Sequence, residues 1–189
     1  KTLFPYTTLF RSKTENSNVN IKLIGIETDV IEGETATYKI ILVDEQGNAV
    51  ITTQEMTVEF TYTYTTAEGN DITETLTVTI PKGSSEVPVE VATIDDVYAE
   101  GTEEFTIEIN TVSNQDQFEQ VTVDKTPVVT TITDESDPSN PTDPETPGAK
   151  DNVNVKLVGV NTDVVEGESA TYKVTLTDDK GNPVVAKED

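Results

Sequence analysis

The feature that most constrains this chain is that it repeats itself. Asn18 opens the run NVNIKLIGIETDVIEGETATYKIILVDEQGNAV, and Asn152 opens NVNVKLVGVNTDVVEGESATYKVTLTDDKGNPV. The offset between the two asparagines is 134 residues, and the replacements are mild: Ile21 becomes Val155, Thr35 becomes Ser169 and Ile40 becomes Val174. A period this long is a whole domain rather than a solenoid unit of roughly 20–50 residues, so each complete copy must own a core. The second copy reaches only Asp189, opposite Glu55 of the first. It is therefore expected to be a truncated start, with two strands that cannot bury a sheet face alone.

Within the first copy the apolar residues recur with a period of two. Val58, Phe60, Tyr62 and Tyr64 alternate with Thr57, Glu59, Thr61 and Thr63. The same pattern runs through Tyr38, Ile40 and Leu42, then Leu76, Val78 and Ile80, then Val87, Val89 and Val91, then Phe105, Ile107 and Ile109. Alternation of this kind marks strands with one wet face. Gln46-Gly47-Asn48, Glu68-Gly69-Asn70-Asp71 and Pro81-Lys82-Gly83 supply the turns between them. About seven strands lie between Val19 and Thr133, the last one irregular around Pro127. This predicts an all-β, immunoglobulin-like antiparallel sandwich. Phe60, Tyr62, Phe105 and Tyr38 are assigned to its core.

Composition narrows the function. There are 12 basic and 36 acidic residues, a formal net charge of −24, which repels nucleic acid and anionic membranes. Cys, His and Trp are absent, which removes the thiolate nucleophile, the imidazole base and ordinary zinc or haem ligands. No apolar run is long enough to span a bilayer as a helix, so direct membrane insertion is not expected. No Ser-centred, zinc-protease or phosphate-loop motif occurs. Paired carboxylates such as Asp95 and Glu100 could in principle hydrolyse a glycosidic bond, but a sandwich of this size offers no deep groove. The chain is expected not to be an enzyme.

Two segments stand apart. Lys1–Ser12 holds no acid and carries the single Arg of the chain, Arg11. It lacks the continuous apolar core of a signal peptide. Thr2–Ser12, TLFPYTTLFRS, resembles the translation of a short-read sequencing adapter, which implies an artefact at the start of a metagenomic fragment. The first sandwich is then expected over 13–133. Residues 134–151, DESDPSNPTDPETPGAKD, place Pro138, Pro141, Pro144 and Pro147 at every third position. That spacing matches the turn of polyproline II and predicts a semi-rigid acidic spacer. The truncated copy then occupies 152–189.

Acidic residues cluster at three places: Glu32-Gly33-Glu34 between the first two strands, repeated at Glu166-Gly167-Glu168; Asp95-Asp96-Val97-Tyr98-Ala99-Glu100; and Asp134-Glu135-Ser136-Asp137. In an alternating sandwich the loop after the fifth strand and the exit of the seventh share one end, and the start of the chain can lie there too. Converging carboxylates repel one another unless a cation neutralises them, and Ca²⁺ suits several carboxylate and carbonyl oxygens at once. Against this stands the plain reading of solvated acids on a very acidic surface.

The run VTIPKGSSEVPVEVATIDDVYAEGTEEFTIEI over Val78–Ile109, with Val30-Ile31-Glu32-Gly33 before it and Ile132-Thr133-Asp134-Glu135 after it, resembles the Calx-β family. With its linker, the unit is similar to tandem extender repeats of large bacterial adhesins exported by type I secretion (RTX-type). The resemblance implies calcium held by Glu32, Asp95, Asp96, Glu100, Asp134 and Glu135. It also implies junction ligands at Asp137 and Asp151. Val97 interrupts the acidic loop that the family often carries unbroken. The function this implies is a structural stalk repeat of a secreted, cell-surface adhesin, with neighbouring repeats of the same chain as partners. A target such as a glycan would be met by other domains. The alternative is a carbohydrate- or host-surface-binding module, for which Tyr62, Tyr64 and Tyr98 would form the exposed aromatic patch.

Overall fold

The structure is a computed structural model describing residues 18–134, apart from 68 and 99, and residues 152–186. Residues 1–17 and 135–151, which hold the adapter-like segment, nearly all of the proline-spaced linker, Glu135, Asp137 and Asp151, lie outside the described residues. Among the described residues no helix is long and apolar enough to cross a membrane.

Residues 18–134 form a β-sandwich. One sheet contains β1 (Asn18–Glu27), β3 (Thr35–Val43), β5 (Ile72–Thr73), β7 (Glu86–Thr93) and β9 (Gln120–Val123), in the order β5-β7-β3-β1-β9. The other contains β2 (Asp29–Ile31), β4 (Met56–Tyr64), β6 (Thr77–Ile80), β8 (Thr102–Val112) and β10 (Val128–Thr133), in the order β2-β10-β8-β4-β6. The pairings are antiparallel except β1 with β9 and β2 with β10, which are parallel.

The ten strands keep the expected seven as their framework and differ by three local events. The entry strand changes sheets: a bulge between Gly25 and Glu27 ends β1, and the chain crosses to pair with β10 as β2. Gly25 is required there, since a Cβ would lie 2.6 Å from Cγ2 of Thr28. The closing strand breaks into β9 and β10 around Pro127, whose ring has no N–H to donate to a ladder. β5 is a two-residue edge pairing with β7.

Both inner faces supply the core. Ile21, Tyr38, Ile40, Leu42 and Val89 from one sheet meet Met56, Val58, Phe105, Ile107, Ile109 and Ile132 from the other, all fully buried. Phe60 is buried as expected, and Tyr62 is half-buried with its ring 6.1 Å from that of Phe105. Leu76 departs from expectation: it lies before β6 and is exposed, so the inward set there is Val78 and Ile80. The Tyr38 hydroxyl shares a buried hydrogen bond with Thr130 of the opposite sheet, satisfying both groups.

The second copy is a hairpin of β11 (Asn154–Asn161) and β12 (Thr171–Thr177). It repeats the register of β1 with β3, including a bulge between Gly159 and Asn161. Its turn repeats the hydrogen bonds from Asn182 N and Nδ2 to Asp178, as Asn48 bonds Asp44. The counterpart of β2 is not a strand here.

Candidate functional site: an acidic pole

The site is assembled by the backbone before any side chain is considered. β2 and β10 run parallel with Ile31 beside Thr133, so the next residues of each, Glu32 and Asp134, emerge side by side. Glu32 N donates to Thr133 O at 3.0 Å, and Asp134 N donates to Gly101 O at 3.1 Å. Two acids from the ends of the domain are thereby pinned to the loop that carries Glu100. Gly33 turns the chain with a φ of +79°, and a Cβ placed there would come within 3.0 Å of the Asp95 Cβ. The Glu32–Glu34 corner thus lies directly on the Asp95–Asp96 loop. Thr93, just before that loop, ties in through its hydroxyl, which donates to the carbonyls of Glu34 and Ile31. Tyr98 N donates to Asp96 Oδ1, folding the loop back on itself.

The electrostatics follow from this crowding. Glu32 is 6% exposed and Asp134 3%. Burial first, and then the charges of Asp134, Asp96, Glu100 and Asp95, push the Glu32 carboxyl from 4.5 up to about 8. Asp95, Asp96 and Glu100 are half-buried. Five of the six residues expected from the sequence therefore act on one another at one end of the sandwich, while Glu135 lies outside the described residues.

The sequence reading missed two further acids. Asp71 and Glu103, both buried, have carboxylate oxygens within 4.8 Å of each other and of one from Glu100. Asp71 was read as turn chemistry. Its carbonyl accepts from Ile94 N, which docks its loop against the Asp95 segment. Glu103 lies on β8 in phase with Phe105, Ile107 and Ile109, so the alternation itself points it inward. A charged residue in a buried phase was the available signal. Glu100 belongs to both groups of acids.

Such a site fits a hard cation. Every side-chain donor is a carboxylate, several are shielded from water, and oxygen-rich sets of this kind suit Ca²⁺ better than the strict octahedron of Mg²⁺. The crowding carries a desolvation and like-charge penalty, visible in the elevated Glu32.

The first described strand does not begin at this pole. β1 begins at Asn18, paired with Gln120, and runs its whole length before β2 reaches Glu32. Entry and exit therefore lie at opposite ends of the domain, roughly 40 Å apart at the ordinary strand rise. Tyr62 and Tyr64 are half-buried against the core, donating to Thr75 O and Glu74 Oε1, and Tyr98 is half-buried.

Comparison with known proteins adds the following. No curated protein sequence matches this chain. Among solved structures, the apo form of the Calx CBD1 domain is 17% identical over 62% of this chain and 98% of its own, with a TM-score of 0.47. The calcium-binding domain CBD12 of CALX1.1 is 19% identical over 61% of this chain and 46% of its own, at 0.46. Domains 4 and 5 of the S-layer protein SbsC are 19% identical over 60% and 50%, at 0.31. Residues 46–135, a little under half of the chain, match the family model of the LapA domain.

Proposed function

We propose that this chain is a stalk segment of a large secreted bacterial surface adhesin, each repeat being a load-bearing spacer stiffened by calcium at its exit pole. The observation that carries the reading is the convergence of Glu32, Asp95, Asp96, Glu100 and Asp134, with Asp71 and Glu103 beside them, where the chain leaves the sandwich. The match of residues 46–135 to the LapA domain supports the adhesin setting; an extracellular location and export by type I secretion belong to the same reading. Opposite poles for entry and exit support end-to-end stringing of repeats, so tension along the chain is borne through the length of each sandwich.

In this reading Glu32, Asp95, Asp96, Glu100 and Asp134 hold one cation position. Asp71 and Glu103 reach a second through the shared Glu100. The cation supplies the positive charge that lets these carboxylates ionise together. It ties β2, β10 and the two adjoining loops into one unit, so the exit strand cannot fray into the linker. Residues 134–151 then act as a spacer, with Glu135, Asp137 and Asp151 available to a junction ion. No step of this function is catalytic.

Isothermal titration of the full chain with CaCl₂ at pH 7.4 tests the reading, with MgCl₂ as comparison. Saturable calcium binding that is lost in Asp134→Asn and weakened in Glu103→Gln is expected. Absence of binding at millimolar calcium removes the calcium from the proposal.

A further inference from the structure

The two copies touch. Tyr98, in the loop that carries Asp95 and Asp96, donates its hydroxyl to the carbonyl of Val185 in the second copy at 2.7 Å. The ends that meet are the ones that chain order requires. Asp95–Tyr98 belongs to the exit pole of the first sandwich. The turn from Asp178 follows β12 at the end where β11 begins, with Thr177 opposite Asn154, which is the entry end of the second copy. Around the hydrogen bond lies a cleft of about 500 Å³, one wall formed by the loop from Asp95 to Tyr98 and the other by residues of the turn from Asp178 to Val184.

We infer that this contact is the joint between successive repeats: the exit loop of one sandwich is a docking surface, and its partner is the turn that closes the entry hairpin of the next copy. That turn is a preformed surface. In the second copy Asp178 N donates to Asn182 O, Gly181 N to Asp178 O and Val184 N to Leu176 O, and in the first copy Asp44, Gly47 and Val50 make the same three bonds. The first turn belongs to a complete sandwich, and there residues 45–49 are exposed and Ile51 is 62% exposed. The docking face is therefore part of a finished repeat and does not depend on the open side of the β11–β12 hairpin. The two walls also match chemically. Val97, which interrupts the acidic run, shares the cleft with Pro183 and Val184. Two replacements between the copies fall in the turn's wall, Gln46 to Lys180 and Ala49 to Pro183. One brings a positive charge into a cleft lined by Asp95 and Asp96, and the other adds rigid apolar surface. Tyr98 is held by its own loop, its N–H donating to Asp96 Oδ1. Its acceptor is main chain, so the change from Ile51 to Val185 leaves the bond available. Few contacts suffice, because the 18 residues from 134 to 151 keep the turn at high effective concentration beside the pole. The joint deepens the stalk reading and rests on its end-to-end order of copies, but on no bound cation. It fixes the angle between repeats by direct contact as well as by the spacer.

The test uses the full chain in excess chelator, so that its result is independent of calcium binding. The chain has no cysteine, so Ala186→Cys, at an exposed position outside the cleft lining, carries a single nitroxide. Paramagnetic broadening of the backbone amide resonances should then be strong at residues 95–98 and confined, within the first sandwich, to the exit pole. Tyr98→Ala and Pro183→Asp, one from each wall, should each reduce that broadening severalfold. The amide spectrum of the same samples reports that the sandwich stays folded, and Pro183→Asp leaves the first sandwich untouched. Absence of broadening in the first sandwich, broadening centred on its entry pole, or broadening unchanged by either substitution overturns the inference. Nitroxide-bearing chains mixed with isotope-labelled unmodified chains should leave residues 95–98 sharp, and equal broadening between chains overturns it too. A failed joint beside intact calcium binding rejects the joint alone, and an intact joint without calcium binding rejects the calcium alone.

Discussion

Replacing Glu32 by Gln should abolish most of the pH dependence of stability in the calcium-free protein. In the folded domain this carboxyl keeps its proton up to about 8, whereas an unfolded glutamate releases it near 4.5. Its folded acidity is raised, so its contribution is complete below pH 4.5 and is lost as pH climbs through 8. At ~1.4 kcal/mol for each pH unit between the two values, the loss is on the order of 5 kcal/mol. That is a large share of the ~5–15 kcal/mol that holds a typical domain together. The cause is structural: Glu32 is 6% exposed and faces Asp134, Asp96, Glu100 and Asp95. Glutamine keeps the shape and carries no charge, so it mimics the protonated acid at every pH. Urea unfolding in excess chelator should therefore show wild-type stability falling steeply from pH 5 to 9. The E32Q curve should be nearly flat and lie above the wild type at pH 9. A wild-type profile as flat as that of E32Q would refute the reasoning, because it would mean that the cluster is solvated and its acids ionise independently.

Other outcomes follow from the same geometry. Calcium binding at pH 7 should expel close to one proton per domain, measured as a dependence of the titration heat on the ionisation enthalpy of the buffer, since Glu32 is mostly protonated there until a cation arrives. Tyr38→Phe should cost about 1–2 kcal/mol in urea unfolding, with or without calcium, by leaving the buried Thr130 hydroxyl short of its partner. Gly33→Ala should cost more than Gly47→Ala, although both sit in the left-handed region. Gly47 meets nothing within 4 Å, so an alanine there carries only the left-handed strain of about 1–2 kcal/mol, while an alanine at 33 also presses on Asp95 at 3.0 Å and should weaken calcium binding. Equal effects of the two on calcium affinity would separate the Gly33 corner from the site.

The sandwich was legible because each strand has one wet and one dry face. Met56–Tyr64 and Phe105–Ile109 lie on the strands and faces that their alternation gives them. The sheet-switching of the entry strand was not, since it depends on Gly25 letting Thr28 approach and on β10, more than a hundred residues away, being there to receive β2. The dependence shows in the second hairpin, where Asp163-Val164-Val165, the counterpart of Asp29-Val30-Ile31, forms no strand. At the site, Asp95, Asp96 and Glu100 were visible as a dense local run, and Glu32 and Asp134 stood out at the strand ends. Asp71 hid in an ordinary turn, and Glu103 hid inside a strand whose neighbours drew attention as core. Both are recognised only once a third acid is placed beside them in space. The allowance that the entry could lie at this pole does not hold for the sandwich from Asn18 onward, because β1 and β2 run in one direction past the whole length of the domain.

The most direct test of a calcium-stiffened exit pole is thermal unfolding of the full chain at pH 7.4 in saturating calcium and in excess chelator. At calcium a hundredfold above its dissociation constant, one site adds about 2.7 kcal/mol, which for a domain of this size raises the Tm by about 10 °C. A rise of that order, absent in Asp134→Asn, is the predicted result. An unchanged Tm would contradict the account, and the acids at this pole would then be a solvated surface rather than a site.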